Sequence, residues 1–159
     1  MPYVTIEYVI LIPILIAQIF LFPLMAITLS NIYVESTRRL TAETAASRLA
    51  SSIQQLYFSL NHESIPPGTV TFDPGLPKYI DGYYYVARGE LTPIREGGAA
   101  RLNISLTVAK LNIRVTAYAT LGPNVSWDSN SVFVSNSTSA FVEATKDSSG
   151  AFHFRFGGG

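Results

Sequence analysis

Apolar and polar positions are spread very unevenly along this chain. Residues 8–34 carry no charged side chain. At about 1.5 Å per residue, a helix of that length is roughly 40 Å long. A bilayer core is about 30 Å thick, so the segment can span it with tilt. A cleaved secretory signal has an apolar core of about 7–15 residues behind a basic region. Neither property fits, and the segment is expected to stay with the protein. Small and apolar residues then recur at Ala42, Ala45, Ala46, Leu49, Ala50, Ile53, Leu56, Tyr57 and Leu60. Steps of mostly three and four mark one stripe of an amphipathic helix. Glu43, Ser47, Ser51, Gln54 and Gln55 fall largely on the other side. The pattern predicts one helix from near residue 3 to about 60, bent at Pro13 and Pro23 and stopped by Pro66-Pro67-Gly68. The Ala-rich part of the stripe lets another element approach closely. Part of it is expected against the chain's own C-terminal domain, and the rest of the helix needs lipid or other subunits.

After Pro67 the pattern changes to short runs rich in Val, Thr, Tyr, Ile and Phe, separated by Gly, Pro, Asn and Asp. This is the signature of an all-β unit. Strands are expected at 69–72, 83–88, 101–109, 113–121, 131–135, 140–145 and 151–156. Leu102, Ile104, Leu106 and Val108 share one face, as do Phe152, Phe154 and Phe156. Runs 101–109 and 113–121 are expected to form a hairpin. The fold class is therefore α+β: a long hydrophobic helix over 1–62, then a small antiparallel β-sandwich head over 63–159, Ig-like in the loose architectural sense. In Tyr83-Tyr84-Tyr85, alternation puts Tyr83 and Tyr85 on one face and Tyr84 on the other. A half-buried strand with hydroxyls reaching water is favoured over an aromatic contact surface.

Composition narrows the function. The 159 residues include 11 acidic and 11 basic side chains, so net charge offers no reason to expect nucleic acid as a partner. Charged residues are 14 %, against about 25 % in an ordinary soluble domain. There is no Cys, which excludes disulfides and thiolate metal sites. His62 and His153 are the only histidines, and neither has an acidic cluster nearby in sequence. His153, between Phe152 and Phe154, reads as an outward strand residue. No phosphate loop, nucleophile elbow or His-Glu-x-x-His occurs. No enzyme and no cofactor are expected, apart from N-linked glycans. Three Asn-X-Ser/Thr sequons, at Asn103, Asn124 and Asn136, sit in a Ser/Thr/Asn-rich β domain and point to an exported surface. Asn136 is the most loop-like. Asn103 falls in a strand, on the face opposite Leu102 and Ile104.

One acidic residue, Glu7, stands at the start of the apolar run. A carboxylate entering apolar surroundings is costly unless paired. Its partner is either the α-amino group of a neighbouring copy or the lipid headgroup region, where the helix dipole favours an anion. No Lys or Arg precedes the span, whereas Arg38, Arg39 and Arg48 follow it. The positive-inside rule would then hold the C-terminal part in the cell. A basic leader removed from ahead of the chain reconciles this with an extracellular head.

Tyr3-Val4-Thr5-Ile6-Glu7-Tyr8-Val9-Ile10-Leu11-Ile12 resembles the start of mature type IV pilins and of the related archaeal pilins and archaellins. In that family a Glu at the fifth mature position opens a long hydrophobic helix. Counted from Tyr3, Glu7 is fifth. The resemblance implies that Glu7 pairs with the N-terminal amine of a neighbouring subunit during assembly. Pro13 after the acidic-apolar start resembles TadE-like pilins, and Pro23 the helix-breaking position of many pilins. The implied partners are identical subunits in a helical filament, the membrane before assembly, a prepilin peptidase and the pilus assembly machinery. The implied location is an extracellular cell-surface filament for adhesion or cell contact. Rivals are an archaellin of a motility filament, a minor pilin, and a monomeric membrane-anchored surface binding protein.

Overall fold

The computed structural model describes residues 3–94 and 98–158, with side chains from residue 9 onward. One helix, α1 (Tyr3–Leu60), is followed by eight strands: β1 (Gly68–Phe72), β2 (Tyr85–Pro93), β3 (Ala100–Val108), β4 (Ile113–Leu121), β5 (Val125–Trp127), β6 (Val132–Val134), β7 (Phe141–Lys146) and β8 (Phe152–Gly157). They form two four-stranded sheets, of order β1-β7-β8-β5 and β4-β3-β2-β6. The chain divides into two compact units, Met1–Thr37 and Arg38–Gly159. Composition suggested a boundary after residue 62, whereas contacts assign the last part of α1 to the same unit as the strands.

In the first unit, residues 9–37 are exposed on every side of the helix. Pro13 and Pro23 both lie inside α1, each leaving a carbonyl one turn back without its usual donor. The hydroxyls of Thr28 and Thr37 bond back to the carbonyls of Leu24 (2.8 Å) and Tyr33 (2.9 Å). These bonds satisfy the hydroxyls without solvent.

In the second unit, Ala42, Ala45, Ala46, Leu49, Ala50, Ile53, Tyr57 and Leu60 are all buried, and Leu56 packs against them. The expected stripe is thus seated in the chain's own core. It shares that core with Leu102, Ile104, Leu106 and Val108 of β3 and with Phe152, Phe154 and Phe156 of β8. The Tyr57 ring meets Phe152 edge-on at 5.2 Å, and its hydroxyl end occupies the space a Cβ on Gly122 would need. Trp127 likewise fills the space beside Gly89 of β2 and meets Phe156 edge-on at 4.8 Å. Small residues at 89 and 122 therefore let large rings from other elements approach the second sheet.

The hairpin β3–β4 pairs in register from Ala100↔Leu121 to Val108↔Ile113. Two expectations are corrected. A strand absent from the sequence reading, β5, pairs parallel with β8, so the head is not wholly antiparallel. With three residues, β5 is too short to show a period, and its pairing depends on Phe152, whose N–H reaches the Asn124 carbonyl at 2.8 Å.

The tyrosine run also breaks the expected alternation. Asp81 and Gly82 both have positive φ (50° and 80°). Ile80 and Tyr83 exchange backbone hydrogen bonds of 2.8 and 3.0 Å around them. This is a two-residue hairpin turn of the kind Asp-Gly favours. It places Tyr83 in the turn's bridge and starts β2 only at Tyr85. Tyr83 and Tyr84 are exposed, whereas Tyr85 is fully buried.

Candidate functional site

Residues 9–34 form the most unusual surface of the protein. No window of α1 is more apolar, with a mean hydropathy of 2.6 and none of it buried. Among the described residues, α1 is the one helix long and apolar enough to cross a membrane. Large side chains such as Ile19, Phe20, Phe22, Leu24 and Leu29 stand open all round. Single exposed apolar residues are ordinary, but a continuous sleeve of them marks a surface made for lipid or protein. Pro13 and Pro23 both lie within this sleeve. Glu7 is in the first turns of α1, and its side chain lies outside the described residues.

The sequon asparagines occupy three different settings. Asn136 is exposed in a turn closed by the Ser137 N–H donating to the Val134 carbonyl at 3.0 Å. Asn124 is exposed in a left-handed conformation (φ 59°) between β4 and β5, a geometry Asn tolerates well. Asn103 is half-buried on the outward face of β3. Its Nδ2 faces the Thr92 hydroxyl at 3.4 Å, and its Oδ1 is shielded without a partner.

Three features hold the head together that the sequence did not disclose. The Lys146 ammonium donates to the carbonyls of Leu60 (3.0 Å), His62 (3.1 Å) and Ile65 (2.9 Å). This places a cation at the negative end of the helix dipole and satisfies carbonyls the helix cannot. Arg38 is ion-paired with Asp81 of the hairpin turn, Nε donating at 2.6 Å. Glu143 and Arg155 face each other across β7 and β8 in a two-pronged pair of 2.7 and 2.9 Å. That pair raises the Arg155 guanidinium further above its usual range. Each contact joins residues of different elements, and no local spacing signals it.

The titration of two other groups is also perturbed. Burial pushes the Tyr85 phenol up to about 12, and its hydroxyl donates to the Pro77 carbonyl at 2.7 Å. The Asp147 carboxylate is held below its usual range by the Ser149 hydroxyl first, then by the Ala151 N–H. His62 and His153 each meet a serine hydroxyl, Ser64 at 2.8 Å and Ser126 at 2.9 Å, and His153 is outward as its alternation predicts. Among the described residues, no group of three His, Cys, Asp or Glu could hold a metal ion.

The chain matches no family model, no curated protein and no solved structure. Function therefore has to be read from the apolar sleeve and the packed head themselves.

Proposed function

We propose that the chain is a pilin of the archaeal type IV kind, a structural subunit that polymerises into an extracellular filament for adhesion or cell contact. The observation that carries this is the uncharged stretch 9–34, exposed on every side, on a helix whose residues 42–60 are rooted in a folded head. Before assembly that stretch lies in the membrane. After assembly it packs with the same stretch of identical subunits. Lipid is already apolar, so the gain comes from close packing and from pairing polar groups, Glu7 with a neighbour's amine above all. The heads, Ig-like in the loose sense of two facing β-sheets, form the outer wall. Glycans sit on Asn136 and Asn124, which are exposed, before Asn103, which is not. The role needs no catalysis and no cofactor.

The test is electron microscopy of material sheared from cells, with mass spectrometry of the subunit's N-terminus and sequons. Thin filaments built mainly of this chain support the proposal. The same exposed helix also suits a monomeric membrane-anchored binding protein, and recovery only in the membrane fraction, with no filaments, establishes that reading instead. Loss of swimming in a deletion strain that still adheres assigns the filament to motility as an archaellin.

A further inference from the structure

The outward face of β2, β3 and β4 carries Arg88, Arg101 and Arg114 against a single acid, Glu90. On a chain of zero net charge this face is a local positive excess. A hollow of about 650 Å³ opens on it, lined by Arg88, Glu90, Ser105, Thr107, Arg114 and Ser129 among others. The volume falls within the range of small-ligand sites, about 300–1,000 Å³. Ser129 reaches the rim from the turn between β5 and β6, which is held by the Ser131 N–H donating to the Asp128 carbonyl at 3.1 Å. Arg114 leans diagonally from β4 to the Ser105 hydroxyl of β3 at 3.4 Å. Ser105 lies directly opposite Arg88, and Arg88 and Arg114, from the strands on either side of β3, both line the hollow beside it. Neither has an ion pair among the described residues, unlike Arg38, Arg39 and Arg155.

We propose that this hollow binds an acidic sugar, a carboxylated hexose unit of a polysaccharide. The lining matches that chemistry group by group. A guanidinium presents a planar fork that takes a carboxylate by two parallel hydrogen bonds. Glu90 accepts only, so it selects ring hydroxyls, which donate. Ser105, Thr107 and Ser129 donate or accept as the ring requires. Glu90 also separates this ligand from DNA, whose sugar-phosphate backbone has no internal hydroxyl to donate to a carboxylate.

The test uses the full-length chain in detergent micelles, which reads binding whether or not copies polymerise. The probe is immobilised polygalacturonate, with neutral dextran and double-stranded DNA at equal charge as controls. Wild type is expected to be retained on polygalacturonate and not on dextran. Arg88→Gln with Arg114→Gln is expected to weaken retention by about tenfold or more, as loss of charge-assisted hydrogen bonds requires. Arg155→Gln, on the other sheet, is expected to bind as wild type. An unchanged melting temperature of the double variant excludes misfolding. Absence of wild-type retention, equal retention of the double variant, or equally tight binding of DNA overturns the proposal.

Discussion

Lys146 is the residue on which the end of α1 depends. Its ammonium has three donors, and all three are used on carbonyls of the helix end and the following turn. Lys146→Met keeps the stem and removes the donors. It is expected to cost about 1–3 kcal/mol, the usual penalty for orphaned polar groups, read as a lower urea midpoint with an unchanged slope. Tyr85 offers a pH-resolved counterpart. Its phenol is raised from 10.0 to about 12 by burial, so the folded state disfavours the phenolate. Stability from this residue is intact below pH 10 and falls as pH rises from 10 towards 12, where only the unfolded chain ionises readily. Tyr85→Phe is expected to lose about 1 kcal/mol at neutral pH from the missing hydrogen bond to Pro77. The variant should also show a shallower stability loss across that alkaline window. Asp147, lowered by its hydrogen bonds, works in the opposite sense. Its contribution is present above the unfolded value and fades as pH falls through the folded one.

Elements of this protein are packed by placing small residues where large rings must fit. Gly89 lies under Trp127, and a Cβ there would collide with the indole ring. Gly89→Ala is therefore expected to destabilise by about 1–3 kcal/mol through overpacking, with loss of the near-ultraviolet Trp signal on partial unfolding as the check. The helix stripe follows the same logic in reverse. Ile53 is fully buried, and Ile53→Ala is expected to cost about 2–5 kcal/mol by leaving a cavity, seen in thermal unfolding of the solubilised chain. A stripe read from spacing alone established which helix face is apolar. The packing of that whole stripe from Ala42 to Leu60 into the chain's own core required the strands to be in place.

For the whole molecule, the proposed assembly makes one sharp demand on a single carboxylate. Glu7→Ala is expected to leave membrane insertion intact and to abolish filament growth, tested by fractionation and electron microscopy of the mutant strain. Wild-type-like filaments would remove Glu7 from the mechanism. The head is expected to keep its melting temperature in this variant, because residue 7 belongs to the other compact unit.

Sequence by itself determined the elements with a strong local period. The uncharged run, the helix to residue 60 and the β3–β4 hairpin follow from apolar spacing and from the Pro66-Pro67-Gly68 stop. Periodicity reports which face of an element is apolar, and that is enough to make a helix or a strand. Only the tertiary structure decided the three-residue β5, its parallel pairing with β8, and the burial of Tyr85 between β3 and β6 with Tyr83 and Tyr84 left outside. It also decided the Lys146 cap and the placement of Arg88 and Arg114 on the strands flanking Ser105, around one hollow. These depend on pairings between residues distant in the chain, whose loop-closure cost is repaid by cooperative packing rather than by any local preference.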